Sequence, residues 1–357
     1  MLIVSFPLVD PPASAGINAL HVASSTQTIV DAPDDPARSQ APAKRTIESL
    51  QAGRGLAALA VLLHHSAQAA QQFIAPFPGD RILLQGSLGV DFFFVLSGFI
   101  IYHSTVGKGR SVRDYAVARF RRVYLPYWPI GIAVAVMYTF MPTGRPWTWL
   151  STLTLAPVDS APALTVAWTL QHELLFYLVF GISYFTRLLP VGLLLWASAI
   201  LLGPDHLAFE TINLEFFFGI LAAILVRQRQ APLVMALASP LPLLLMLIWP
   251  DRILFAAAIA LLIAPLAQAE LDGRFRTHRA LIFLGAISYS LYLIHYPIVA
   301  ATARVVHNIP GLIATAVVLS LASGTAYHFV VERRVISKRK NPEVFASTIP
   351  PPSARQS

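Results

Sequence analysis

Arg54 and His65 stand eleven residues apart in the run RGLAALAVLLHH, so an otherwise apolar helical stretch carries an ionisable residue near each end. Eleven residues at about 100° each return to within roughly 20° of the starting face, and they separate the two side chains by roughly 16 Å along a helix axis. Polar groups are costly in lipid and usually line a protein interior or a path, which makes the pair a first candidate site. The guanidinium suits bidentate contact with phosphate, and the imidazole suits proton transfer near neutral pH.

Other ionisable residues are embedded in apolar runs: Asp91 in GVDFFFVLSGFII, Glu173 in VAWTLQHELLFYLVF, Glu215 in NLEFFFG and His295 in ISYSLYLIHYPI. Two histidines and three carboxylates have the chemistry of an acid–base centre. Each also has a plainer role. His64 is turned about 100° from His65 and reads as a bystander. Asp91 at a helix start suits an N-terminal cap. His65 and His295 suit interhelical hydrogen bonding, with Tyr292 and Ser288 on the His295 face. Glu173 is harder to assign to packing, because it lies well inside an apolar run with Tyr177 one turn away. His172-Glu173 begins a zinc-protease-like HExxH, but Phe176 takes the second histidine position, so no metal site is expected. Ser97 in VLSGF lacks the sharp turn of a nucleophile elbow, and helix packing beside Gly98 explains it better than an acyl-serine role.

A second group is basic. Arg54, Arg119, Arg121, Arg122 and Arg333 fall at expected helix ends, where fixed guanidiniums grip phosphates or, equally, set topology and meet lipid headgroups. Arg54 and the one-turn pair Arg119 and Arg122 are the better phosphate candidates. Neither Gly107-Lys108-Gly109 nor Gly53-Arg54-Gly55 forms a Walker loop, so ATP-driven chemistry finds no support.

The elements that must position these residues are membrane helices. The 357 residues are 56% hydrophobic and 12% charged, with a mean hydropathy of +0.63. That composition implies an all-α, polytopic transmembrane bundle. About ten spans are expected, near 49–68, 88–105, 123–141, 164–186, 189–203, 211–227, 232–249, 252–269, 281–303 and 311–330. The net charge of +8 concentrates before the first span, in every second loop and in the tail, which puts both termini in the cytoplasm and argues against nucleic acid as a partner. On that topology the two histidines and three carboxylates share the outer layer, while the arginines sit at cytoplasmic ends. Residues 1–45 read as a disordered Pro/Ala-rich cytoplasmic tail, 46–336 as the membrane domain, and 337–357 as a basic, Pro-rich tail. The opening MLIVSFPLVDPP lacks a basic leader and breaks at Pro7 and Pro11, unlike a signal peptide. With no cysteine, thiol nucleophiles, disulfides and cysteine-bound metals are excluded.

Five segments in order, RGLAALAVLLHH, GVDFFFVLSGFII, RFRRVYLPYW, VAWTLQHELLFY and LGAISYSLYLIHYPI, resemble the acyltransferase-3 family of integral membrane acyltransferases, and especially its exopolysaccharide O-acetylase branch. The family's arginine-x10-histidine motif falls on Arg54 and His65, its paired arginines on Arg119 and Arg122, and its tryptophan-to-glutamate motif on Trp168 and Glu173. The C-terminal VERRV departs from the family by lacking the proline often found after the glutamate. The resemblance implies a multi-pass protein of the bacterial inner (plasma) membrane with no permanently bound cofactor. It also implies acyl-CoA, commonly acetyl-CoA, as cytoplasmic donor, and a hydroxyl of a cell-surface glycan or lipid-linked oligosaccharide as acceptor.

On this basis Arg54, Arg119 and Arg122 are expected to hold the CoA phosphates. His65 acts as general base, oriented by Glu173 or Asp91, with His295 nearby; an acyl-histidine route is the variant. The rival class is a proton-coupled secondary transporter using the same intramembrane ions, and a third is a non-catalytic polysaccharide-export subunit. No internal repeat is visible, which disfavours the transporter.

Overall fold

The computed structural model describes residues 47–337, apart from 142–144, 159, 205 and 250. The tails expected at 1–45 and 337–357 fall outside the described residues, Ser337 excepted. Among the described residues the chain is helical without strands. The principal helices are α1 (Glu48–Phe73), α2 (Gly89–Thr105), α3 (Val112–Phe140), α4 (Trp168–Phe185), α5 (Leu189–Leu202), α6 (Glu215–Arg227), α7 (Arg252–Leu271), α8 (Arg279–Thr302) and α9 (Ile309–Tyr327).

Five helical segments among the described residues are long and apolar enough to cross a membrane: Asp80–Thr105, Val112–Phe140, Arg252–Leu271, Arg279–Thr302 and Ile309–Val335. The others expected as spans are shorter or more polar. α6 has 13 residues and α5 has 14; α1 has 26 but carries Arg54, two histidines and four glutamines. The stretch expected to span at 232–249 is instead a 3-10 turn, Leu233–Ala238, followed by the short helix Pro240–Leu245. Pro240 and Pro242 remove backbone donors that a continuous helix there would need.

Local chemistry sets several helix ends. Ser111 caps α3 by accepting from the Asp114 amide, and Asn308 caps α9 by accepting from Gly311. The start of α1 lacks a side-chain cap of its own. Glu270, at the end of α7, supplies one by accepting from the Glu48 and Ser49 amides at 2.6 and 2.8 Å. A carboxylate there also faces the positive end of the α1 dipole.

Small residues allow the closest helix pairs. A Cβ added at Gly55 would lie 2.7 Å from the Gly285 backbone nitrogen, so α1 and α8 meet backbone to backbone. In lipid, where burying apolar surface gains little, such close packing is a main source of association. Gly55 meets Gly285 and His65 meets His295, ten residues further along both, so the two helices run parallel. α1 and α2 run antiparallel, because Ala60 lies against Gly86, Ala57 against Gly89 and Gly53 against Phe92. The fully buried Phe176 and Phe216 stack with centroids 4.3 Å apart and tie α4 to α6.

Tyrosines pin α3 near Pro126 and Pro129, which lie inside it without breaking it. Tyr289 of α8 donates to the Val123 carbonyl at 2.9 Å, and Tyr327 of α9 donates to the Pro126 carbonyl at 2.6 Å. Past Tyr327 the helix widens into a π turn, His328–Glu332. Such turns often re-aim a side chain, and here Glu332 is left only 2% exposed.

Candidate active site

The first helix turns of α3 carry Arg119, Arg121 and Arg122 to the wall of a cavity of about 350 Å³. Arg54 of α1 joins them, as do Ser97 of α2, Glu173 and Tyr177 of α4, and Tyr289 and Tyr292 of α8. The remaining wall is largely apolar, including Phe93, Phe94, Leu170 and Ile101. The three arginines expected to act together are therefore brought together from two helices.

Their partners differ. Arg122 is spoken for: its Nη1 meets the Glu332 carboxylate at 2.7 Å, and its guanidinium lies 4.7 Å from the centre of the Tyr289 ring. Glu332 also accepts from Ser290 at 2.7 Å and pairs with His328 at 2.9 Å. Arg119 has no carboxylate partner. It lies over the rings of Tyr177 and Tyr115 at 5.5 and 5.8 Å, and its buried Nε lacks a hydrogen bond. Arg54 forms no ion pair within the described residues. Four guanidiniums line the cavity against Glu173, with Glu332 behind Arg122, so the local net charge is +2. A concave site with uncommitted donors and fixed positive charge suits a multiply charged anion such as phosphate. Arg333 is turned away, exposed and stacked over Phe329.

Glu173 faces this cavity. Ser97 donates to it at 3.2 Å, and Tyr177, one turn along α4, makes a second, short hydrogen bond. Ser97 is thus accounted for by a carboxylate partner rather than by packing alone. Its neighbour His172 points elsewhere, to Asn213 at 2.9 Å and Glu210 at 3.6 Å. No metal-binding group of histidines and carboxylates forms among the described residues.

His65 pairs with His295 instead of with a carboxylate, at 3.1 Å between His65 Nδ1 and His295 Nε2. His295 is fully buried and His65 partly so. Tyr292 connects this pair to the cavity: its ring packs 5.6 Å from His295 and 5.8 Å from Phe93, and its hydroxyl bonds to Thr169 at 2.9 Å. Thr169, Phe93 and Tyr292 all line the cavity. Along α8 the order is Tyr289 beneath Arg122, then Tyr292, then His295. Six residues of helix correspond to about 9 Å between the first and the last.

The shared outer layer expected for the histidines and carboxylates is not what the packing gives. In the antiparallel register of α1 and α2, Asp91 falls opposite Gly55, ten residues and about 15 Å from the level of His65. Asp91 is fully buried and held by Arg252, whose Nε donates to Oδ1 at 2.7 Å while Nη2 makes a short contact to Oδ2. Glu215 sits beside Asp91, fully buried, and its oxygens find no hydrogen-bond partner other than the Asp91 carboxyl. Neither Asp91 nor Glu173 therefore orients His65. The ionisable residues form three nests: the arginines with Glu173, the histidine pair, and Asp91 with Glu215 and Arg252.

The acyltransferase-3 family model, an acyltransferase domain, matches residues 47–328. The chain belongs to the acyltransferase-3 family. It is 29% identical over 313 residues to the acyltransferase MdmB of Streptomyces mycarofaciens, covering 71% of this chain and 79% of that protein. It is also 29% identical over 299 residues to the exopolysaccharide production protein ExoZ of Rhizobium meliloti (strain 1021), covering 73% of this chain and 93% of that protein. No solved structure matches it. The family and the apolar helices together identify an integral membrane acyltransferase.

Within this acyltransferase domain and just past it, two partners escaped the sequence reading. Arg252 counts there only as an outer-loop charge, and Glu332 only as the glutamate of VERRV. A signal for Glu332 exists: His328 precedes it by one helical turn at the end of an apolar run. Nothing local marks Arg252 as the partner of a residue 161 positions earlier.

Proposed function

We propose that this acyltransferase crosses the bacterial inner (plasma) membrane about ten times with both termini in the cytoplasm. In this reading it moves an acetyl group from cytoplasmic acetyl-CoA to a hydroxyl of an exported or lipid-linked glycan. No cofactor is held permanently; CoA is a substrate. The acceptor class rests on the likeness to the exopolysaccharide production protein.

The observation that carries the reading is the cavity itself. Arginines without carboxylate partners stand at one part of its wall, and Tyr292 stands at another, next to His295. Arg54 and Arg119 bind the CoA phosphates, and Arg122, partly neutralised by Glu332, stands beside them. The apolar wall takes the pantetheine arm and leads the thioester toward Tyr292 and the histidines. His65 removes the proton of the acceptor hydroxyl as its oxygen attacks the thioester carbonyl. The C–S bond breaks with its electron pair on sulfur, and His65 returns the proton to give free CoA. Glu173, fixed by Ser97 and Tyr177, shapes the donor side of the cavity and does not contact the base.

The test is transfer of label from acetyl-CoA to membrane glycan or lipid-linked oligosaccharide. His65→Ala is expected to lose activity about 10²- to 10⁴-fold, the range for a general base, with CoA binding intact. Full transfer by the variant refutes the base.

A further inference from the structure

His65 and His295 touch through one hydrogen bond, and their other contacts fix which atoms carry protons. His295 Nδ1 lies 2.7 Å from the Tyr292 carbonyl and 3.3 Å from that of Leu291. A carbonyl oxygen only accepts, so this nitrogen is an N–H. His65 Nδ1 lies 3.0 Å from the Val61 carbonyl and is an N–H for the same reason. In a neutral imidazole the other nitrogen then carries a lone pair. His295 Nε2 is that lone pair, and it accepts a share of the His65 Nδ1 proton at 3.1 Å. The only nitrogen of the pair left bare is His65 Nε2.

We propose that His295 is a positioning residue which, together with the Val61 carbonyl, locks His65 in the Nδ1–H tautomer, so that Nε2 is presented as the proton acceptor. This rests on the base role proposed above. The lock has two parts, both built on α1 and α8. The Tyr292 carbonyl orients His295, and His295 orients His65; the task is one that buried carboxylates commonly perform for catalytic histidines. When His65 takes the acceptor proton on Nε2, its Nδ1 proton shifts along the existing hydrogen bond toward His295 Nε2. The positive charge is thereby shared over two rings without a carboxylate in contact. The close backbone approach of α1 and α8, where Gly285 meets Gln51 and Gly55, brings the two helices near enough for the pair to touch ten residues further along.

The test uses the full chain in nanodiscs with ¹⁵N-labelled histidine, the His65 signal being the one lost in His65→Gln. In the wild type, His65 is expected as the Nδ1–H tautomer; finding it as Nε2–H overturns the proposal without any variant. His295→Leu leaves the Val61 carbonyl as the one remaining acceptor of the Nδ1 proton, and is expected to move His65 part-way toward the Nε2–H form and to lower kcat about 10- to 100-fold at unchanged KM for acetyl-CoA. His295→Gln places an amide oxygen near the lost Nε2 and is expected to recover most of both. An unchanged His65 tautomer in His295→Leu, or a folded Gln variant no better than Leu, refutes the lock. Absence of any acyl transfer by the wild type refutes the function proposed above, and the tautomer measurement still decides whether His295 controls His65.

Discussion

Arg252 and Arg119 are both arginines embedded in a helical membrane protein, yet their surroundings are opposite. Arg252 commits two nitrogens to Asp91, with the fully buried Glu215 alongside. Arg119 has no carboxylate partner, only the faces of two tyrosines, and retains an unused buried N–H. Cation–π contact keeps a guanidinium in place without neutralising it. The first arrangement pairs its cation with a buried carboxylate; in the function proposed above, the second keeps charge in reserve for a ligand. On that proposal, pairing separates the charges that hold the helices together from those that await substrate, where depth in the membrane alone does not.

The sharpest way to break this contrast is Arg252→Ala. It leaves Asp91 and Glu215 as two buried carboxylates without a cation. Removing one partner of a buried pair costs 3–5 kcal/mol, and the half-exposure of Arg252 places the expectation near the lower end, about 3 kcal/mol. The Tm in detergent should fall markedly, while the activity of the molecules that remain folded is retained. Asp91→Asn should cost less, because it leaves a cation with access to solvent and removes one of two adjacent acids. Equal losses from the two variants show that the pair is not holding the helices by charge.

The reserved arginines should behave in the reverse way. Arg54→Ala with Arg119→Ala removes no internal ion pair, so the Tm should hardly change. CoA affinity should fall about 10- to 100-fold in equilibrium binding, for the loss of charge-assisted hydrogen bonds worth about 1.5–3 kcal/mol each with partial compensation by Arg121 and Arg122. Unchanged CoA affinity removes the phosphate role from both residues.

How much of this was legible in the sequence depends on the range of the interaction. The one-turn relation of Tyr177 to Glu173, and that of Arg119 to Arg122, follow from helical spacing, which is the same in every fold. The same spacing turns His64 away from the His295 side, and its Nδ1 meets the Leu84 carbonyl at 2.8 Å. Depth was harder. Reading depth from span order treats each helix as starting at the same plane, but the glycine contacts slide α2 along α1 so that Asp91 reaches the Gly55 level. The partners Arg252 and Glu332 lie 161 and 210 positions from Asp91 and Arg122, and no local pattern encodes such pairings. Prolines gave mixed guidance: Pro240 and Pro242 stand where one expected span changes from a 3-10 turn to a short α-helix, whereas Pro126 and Pro129 sit inside the continuous α3.

Arg122 lies between the two extremes, and Glu332 decides on which side it falls. Its guanidinium lines the cavity with Arg54 and Arg119, yet one nitrogen is bound to a carboxylate that Ser290 and His328 also hold. If the pairing masks Arg122, weakening it should release charge to the donor; if the pairing aims Arg122, weakening it should blur the site. The side chain is 29% exposed and only one of its terminal nitrogens is committed, so masking is the expected effect. Glu332→Gln preserves shape and keeps an oxygen for the hydrogen bond while removing the charge, at a cost of about 1 kcal/mol to stability. CoA should then bind a few-fold more tightly, since a shift of 1.4 kcal/mol is a factor of ten and only part of that is expected here. Weaker CoA binding by a stably folded Glu332→Gln shows instead that Glu332 aims Arg122 at the donor, and unchanged binding places Arg122 with Arg252, as a residue whose charge serves the fold.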